Sequence, residues 1–295
     1  MKIKLGHFFG LGDTLWITPI YKVFKDTETI IYDTERNRSM AFLFDGLTSI
    51  KYENESPEPF DYHEYIFKNY GKINKEEFLY WKNYDPTHLA IKLFKYLGIE
   101  TRESIIPSIY VSEECVSMGK DILNKIGNVK NPIIFVANNT AGNFKDKASN
   151  KQFDLGDIKA AYRTLRPDYW QEIINYYSKD YTFLQCGKDG RVFEFENVIP
   201  IYKYFKEYSN ELKVITGLYS IIKKYIGVDT GDYNLMLSVG GECKVLIPEP
   251  SPFYGYNGVS SVFREKDYLH NEKIRTEYIN FSNYKDSVNK KILSF

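Results

Sequence analysis

The sequence predicts an α/β protein made of two Rossmann-like halves, each with a parallel sheet, arranged around a central cleft. Three observations carry that expectation. At 295 residues the chain is longer than a usual single domain. Short apolar strands alternate with helical patterns through both halves, the βαβ grammar of a parallel sheet. Each half also places a glycine-bearing turn between a strand and a helix: Gly10-Leu11-Gly12-Asp13-Thr14 in the first, Ile226-Gly227-Val228-Asp229-Thr230-Gly231 in the second.

The elements follow in order. Residues 2–9 alternate polar and apolar, then turn apolar, and read as a strand. A helical pattern runs through Leu15, Ile20, Val23 and Phe24, followed by strands at 29–32 and 49–52. Residues 60–84 are irregular, aromatic and charged, and read as an insertion of short helices and loops. Asp85-Pro86 opens a capped helix that Gly98 closes, and another helix covers 113–126. Residues 127–132 form the expected joint, dividing the chain into domains 1–127 and 128–295. The second series begins with the buried-strand run at 132–137, followed by a polar loop at 138–151. A helix at 169–177 and strands at 181–186, 213–215, 225–228 and 244–247 complete the series. In such sheets ligands lie beyond the carboxyl ends of the strands.

Composition excludes several classes. Lys plus Arg and Asp plus Glu both number 39, so no global basic field for nucleic acid exists. Cys115, Cys186 and Cys243 are odd in number and far apart, and His7, His63, His88 and His270 are equally scattered. This fits a reducing compartment rather than a disulfide framework or zinc site. The amino-terminal residues carry no signal-peptide pattern, and no apolar run reaches the roughly 20 residues of a membrane span. A cytoplasmic location is the expectation. Aromatic residues make up 17%, including 26 Tyr and 20 Phe. An AT-rich genome accounts for much of that, because a glycan-binding surface needs far fewer rings.

The two glycine turns are where chemistry is expected. Gly10, Gly12 and Thr14 let the backbone approach a ligand at a helix amino terminus, and Asp13 stands there as a carboxylate able to accept a proton. A tight turn with Asp13 as an ordinary cap is the plain alternative. Leu15 occupies the third position of G-x-G-x-x-G, so a dinucleotide site is disfavoured. In the second turn, the hydroxyl, the glycine and the amides that follow suit a phosphate group. One such turn in each half is the arrangement that a cleft enzyme with two substrates requires.

The residues Gly10-Leu11-Gly12-Asp13-Thr14-Leu15-Trp16-Ile17-Thr18-Pro19 resemble the opening motif of glycosyltransferase family 9, the heptosyltransferase-like enzymes. Arg166-Pro167-Asp168-Tyr169-Trp170 looks like that family's Trp-Pro…Trp segment, and residues 226–235 like its Asp-Ser/Thr-Gly-x-x-His-Leu segment. The resemblance runs from about residue 3 to 255. It implies a GT-B architecture and inverting sugar transfer without a metal or other cofactor, from a nucleotide-sugar such as ADP-heptose. The implied acceptor is a glycan or glycolipid, with peripheral contact at the inner membrane compatible with such a substrate. Asp13 would be the general base. Asp229, Thr230, Gly231 and Asn234 would bind the donor, with Thr230 and Gly231 holding the diphosphate through hydroxyl and backbone N–H. Arg166, Arg163 or Lys145 would supply the cation that replaces a metal, and Glu194 would reach the donor ribose. His7 would face the acceptor, with Tyr62, Tyr65 and Trp81 as stacking rings from the insertion; packing of a small helical subdomain is the competing role for those rings. A last helix would pack back on the amino-terminal domain.

Two departures stand out: His7 replaces the family's arginine and Asn234 its histidine. Three other readings stay open. They are glycosylation of protein or modified nucleic-acid bases, nucleotide-sugar binding without turnover, and a non-enzymatic scaffold. Glu76-Glu77 are neighbours in sequence and do not form a glycosidase pair.

Overall fold

The computed structural model describes residues 2–6, 11–15, 17–23, 26–54, 107–137, 167–187, 194–228, 230–248 and 274–279. In the first half, β1 (Lys2–Gly6), β2 (Glu28–Tyr32) and β3 (Ser49–Glu53) form a parallel sheet in that order. Between β1 and β2 the expected single helix is divided into α1 (Leu11–Leu15) and α2 (Ile20–Val23). Pro19 has no N–H to continue the helical ladder. The chain there switches to tighter bonds, Thr18 N to Leu15 O at 3.0 Å and Ile20 N to Ile17 O at 3.0 Å. A short helix not expected from the sequence, α3 (Glu35–Met40), begins where the Thr34 hydroxyl accepts the Asn37 N–H at 3.1 Å. A 3-10 turn, Ala41–Phe44, follows it.

The second half is built on six parallel strands: β4 (Pro132–Val136), β5 (Thr182–Gln185), β6 (Val198–Pro200), β7 (Lys224–Gly227), β8 (Glu242–Pro248) and β9 (Ile274–Ile279). Their spatial order is β6-β5-β4-β7-β8-β9. Renumbered within this half, that is 3-2-1-4-5-6, the Rossmann order, and the direction of winding reverses between β4 and β7. The helices are α4 (Glu113–Ile126), α5 (Pro167–Tyr177), α6 (Glu211–Ile222) and α7 (Gly231–Ser238). β6 and β9 were not expected from sequence.

Residues 213–215, expected as a strand, lie inside α6. The Asn210 side chain starts this helix by accepting the Leu212 and Lys213 N–H groups at 3.1 and 3.2 Å. Apolar residues at 212, 215, 219 and 222 then repeat with helical spacing, and that longer period outweighs a local β-branched pair. Packing groups α4 with the second sheet, because it lies against α6 across paired glycines. A Cβ placed on Gly217 would sit 1.6 Å from the Cys115 carbonyl oxygen, and one on Gly119 would sit 2.5 Å from Gly217 C.

Two apolar clusters cover the faces of the second sheet. On one face Phe135 meets Trp170, Phe195 and Phe183 edge-on at 5.0, 5.5 and 5.9 Å, with Ile173, Ile174 and Ile226 around them. The other cluster runs across both halves, from Leu15, Ile20, Ile31 and Phe44 to Val136, Leu218, Tyr225 and Met236. Polar bonds reinforce this junction: Ser108 N to Thr18 Oγ1 at 3.1 Å, Ile109 N to Ser238 O at 3.1 Å, and Asn210 Nδ2 to Ser39 O at 2.9 Å. All three cysteines are buried free thiols. Among the described residues no helix is long and apolar enough to cross a membrane, and no cluster of His, Cys, Asp and Glu could hold a metal ion. The expected insertion at 60–84, the helix from Asp85-Pro86, the loop at 138–151 and the last helix lie outside the described residues.

The α4–α6 crossing gives a first prediction. Gly217→Ala should destabilise the fold by about 3 kcal/mol or more, because the new methyl group meets a carbonyl that cannot withdraw. Urea denaturation measures this, and a midpoint unchanged from wild type would contradict the crossing.

Candidate functional site

The site is assembled from the two glycine turns. At the carboxyl end of β7 the chain passes through Val228 and Thr230 into α7, next to the carboxyl end of β4. Val228 N donates to Val136 O at 3.1 Å across that boundary. This is the topological switch point of the six-stranded sheet, where Rossmann folds bind their ligands. Thr230 is the N-cap of α7, its hydroxyl accepting the Asp232 N–H at 3.2 Å. The helix that follows directs its dipole and first-turn amides toward the same end of the sheet.

The turn from the first half lies directly against this one. A Cβ placed on Gly231 would be 3.0 Å from Leu11 Cβ and 3.1 Å from Gly12 N, and one on Gly12 would be 2.9 Å from Asn234 Nδ2. The two turns therefore touch, with Leu11 and the Gly12 main chain against Gly231 and the Asn234 amide against Gly12. Asp13, the residue after Gly12 in α1, belongs to the segment that abuts the switch point. Thr14 is fully buried at the base of α1.

Asn234, also buried, donates from Nδ2 to Thr230 O at 3.3 Å within α7. It thus ties the cap residue to the helix while backing on Gly12. Glu194 is exposed and sits two residues before Glu196, whose N–H and carbonyl are both held by the Gln171 side chain of α5, at 2.9 and 3.2 Å. That fixes Glu194 beside the flank of α5. His7, Gly10, Tyr62, Tyr65, Trp81, Lys145, Arg163, Arg166 and Asp229 lie outside the described residues.

Trp170 has a specific task here. Its indole N–H donates to Ala137 O at 3.1 Å, which ties the first turns of α5 to the carboxyl end of β4. Ala137 and Trp170, which bracket residues 138–166 in the sequence, are thereby held together at the carboxyl end of β4.

Sequence reasoning missed a group of polar side chains beneath the Thr230 turn. Tyr219 of α6 donates its hydroxyl to Asp232 Oδ1 at 2.8 Å, and Thr230 Oγ1 donates to Asp232 Oδ2 at 3.3 Å. Tyr225 of β7 donates to Val228 O at 2.8 Å and lies 3.3 Å from Thr230 Oγ1. Both tyrosines are fully buried. Burial raises the Asp232 carboxyl above the ordinary carboxylate range, an effect opposed by the bonds from Tyr219 and Thr230. Burial likewise holds the Tyr219 phenol and the neighbouring Cys186 thiol well above their usual values, so both remain neutral at physiological pH. A thiol in that condition is no nucleophile. The Thr230 hydroxyl thus has Asp232 and Tyr225 as partners within the protein.

Neither protein-family models nor curated proteins match the sequence. Solved structures do match the fold. A glycosyl transferase family 9 protein from Veillonella parvula superposes with a TM-score of 0.57 at 11% identity, over 97% of this chain and 87% of that one. The iron-containing dodecameric glycosyltransferase TibC from enterotoxigenic E. coli gives 0.50 at 12% identity, over 88% of this chain but only 60% of its own. The E. coli ADP-heptose lps heptosyltransferase II gives 0.49 at 10% identity, over 94% and 90%. At these identities the likeness defines the fold: the chain has the GT-B architecture, with parallel α/β sheets in both halves. The particular architecture it matches is the one seen in the family 9 transferase.

The contact between Gly12 and Asn234 can be measured. Gly12→Ala should cost about 1–2 kcal/mol through overpacking against the amide. Asn234→Ala should remove much of that clash, so the double variant should lose clearly less stability than the sum of the two single variants. Strict additivity would mean that the turns do not touch.

Proposed function

We propose that the protein is an inverting, metal-independent glycosyltransferase that moves a sugar from a nucleotide-sugar, ADP-heptose or a similar donor, to a glycan or glycolipid hydroxyl. The observation that carries this reading is the direct abutment of the Leu11–Gly12 turn on the Gly231 turn at the switch point of the second sheet. It brings a segment bearing a carboxylate next to a helix amino terminus suited to phosphate. The superposition on a glycosyl transferase family 9 protein supports the choice of a transferase. In this reading the half built on β1–β3 serves the acceptor and the half built on β4–β9, with α4 packed on it, the donor. The protein works in the cytoplasm, peripheral to the membrane where its acceptor is lipid-linked.

The chemistry divides between the halves. Asp13 accepts the proton of the acceptor hydroxyl. An ordinary carboxylate, with pKa near 4, does this only when held within about 3 Å of that hydroxyl as attack proceeds. The donor diphosphate rests on the first-turn main chain of α7 at Gly231, where N–H groups and the helix dipole oppose its charge. Attack on the anomeric carbon from the face opposite the nucleotide inverts that centre, and the leaving diphosphate gains negative charge. A cation from residues 138–166 meets that charge, Arg166 first and Arg163 or Lys145 next, because Ala137 and Trp170, which bracket this segment, are bonded to each other beside the switch point. Glu194 and Asp229 complete the donor contacts. His7 with Tyr62, Tyr65 and Trp81 receives the acceptor sugar.

Incubation with ADP-, GDP- and UDP-sugars plus bacterial glycolipid extracts tests the activity, with nucleotide release as the readout. Release should be greatest with the ADP-sugar and unaffected by EDTA. A strict requirement for added Mg²⁺ or Mn²⁺ would overturn the cationic side-chain role. Asp13→Asn should lower transfer by roughly 10²–10⁴-fold while nucleotide affinity stays within a few-fold. Normal transfer by that variant would refute Asp13 as the base.

A further inference from the structure

The turn between β7 and α7 is gripped from its core side by two phenol hydroxyls that come from different elements. Tyr225 reaches up from β7 to the Val228 carbonyl at 2.8 Å and to the Thr230 hydroxyl at 3.3 Å. Tyr219 reaches across from α6 to the Asp232 carboxyl at 2.8 Å, whose other oxygen accepts from Thr230 at 3.3 Å. The four side chains form one unbroken chain, Tyr225–Thr230–Asp232–Tyr219, which spans the residues that lead into α7.

We infer that Tyr219, Asp232 and Tyr225 are positioning residues for the donor diphosphate, fixing the main chain at Val228 and at Thr230–Asp232 in the orientation that receives a phosphate. This rests on the transferase reading above and adds to it residues that no motif points to.

The argument is one of cost and need. Burying a hydroxyl or carboxyl is unfavourable unless it is bonded, and a phenylalanine at 219 or 225 would fill the same space without that cost. Both rings are fully buried in the cluster that joins the halves, so the rings alone satisfy packing. What the hydroxyls add is direction: one fixes a carbonyl, the other a carboxyl that in turn fixes the N-cap. Main-chain phosphate binding depends on such direction, because its donors cannot rotate independently of the backbone. The clamp also holds the Thr230 proton inside, which leaves phosphate contact to the main chain.

The test uses the full-length protein titrated with ADP, GDP and UDP by calorimetry, with donor KM and kcat measured on the best sugar. Tyr219→Phe and Tyr225→Phe keep the rings and remove only the hydroxyls. Asp232→Asn keeps an oxygen for Tyr219 but presents an amide to Thr230, which makes it the mildest variant should either phenylalanine variant misfold. Each should raise the nucleotide dissociation constant and donor KM about tenfold, the effect of one lost hydrogen bond, with kcat and acceptor KM within about twofold. Tyr21→Phe is the control. It removes another buried hydroxyl, bonded to Thr29 at 2.7 Å in the first half. It should lower the melting temperature without changing nucleotide affinity. If the clamp variants behave like Tyr21→Phe, losing stability but binding nucleotide as wild type does, the positioning role is refuted while the transferase reading stands. If folded wild-type protein binds none of the three nucleotides, the transferase reading fails and the clamp's role fails with it.

Discussion

The two turns can meet only because Gly12 and Gly231 carry no side chain where they approach each other. Gly12 and Gly231 approach so closely that a methyl group on either would press on the other turn or on Asn234. This is a steric constraint before it is a chemical one. It fixes how the halves sit at their junction, and the bonds from Ser108 to Thr18 and from Ile109 to Ser238 follow the same junction on its other side. The apolar cluster shared by the halves then excludes water from behind the contact. A site drawn from both halves needs a fixed relation between them, and here that relation is set by the absence of bulk.

A second pair of glycines acts at a distance from the site. Gly119 and Gly217 let α4 and α6 cross at backbone contact, with the Cys115 carbonyl against Gly217. The depth of α6 in the fold is set by that crossing. Tyr219 lies two residues past Gly217, so the crossing also sets whether its hydroxyl can reach Asp232. Packing at one helix pair is thereby converted into the geometry of a turn on another element. Trp170 does the equivalent on the opposite face of the sheet, tying α5 to the end of β4 through Ala137. Both faces of the second sheet contribute one buried anchor each to the region around the switch point.

Much of this was legible in the sequence, and the reasons are local. Strands such as 132–136 and 224–227 are short buried runs bounded by turn residues, and the helix at 113–126 has a serine cap, acidic first turn and closing glycine. Both glycine turns were visible because glycine between strand and helix is a strong local signal. The errors are equally physical. Residues 213–215 look like a strand only when Asn210 and the apolar residues further on are ignored. Pro19 divides a helix that periodicity alone would continue. Tyr219, Tyr225 and Asp232 were invisible as a group because their hydrogen bonds join different elements. In a chain with 26 tyrosines, nothing in the sequence distinguishes these two from rings that only pack. A buried hydroxyl becomes meaningful only when its acceptor is known.

The placement of Asp232 also bears on how an anion could be held at this turn. An acidic residue in the first turn of a helix is favourable to the helix itself, because it sits at the positive end of the dipole. The same carboxylate would compete with a diphosphate for that positive end if it faced outward. Here both of its oxygens are engaged, by Tyr219 and by Thr230, and burial shifts it toward the protonated form. The competition is thus reduced by direction, since the carboxylate is turned toward Tyr219 and Thr230. A helix amino terminus alone supplies only about half a charge, well short of a diphosphate's demand. In the proposed reading, side chains of the segment bracketed by Ala137 and Trp170, which are bonded to each other beside the switch point, supply the rest.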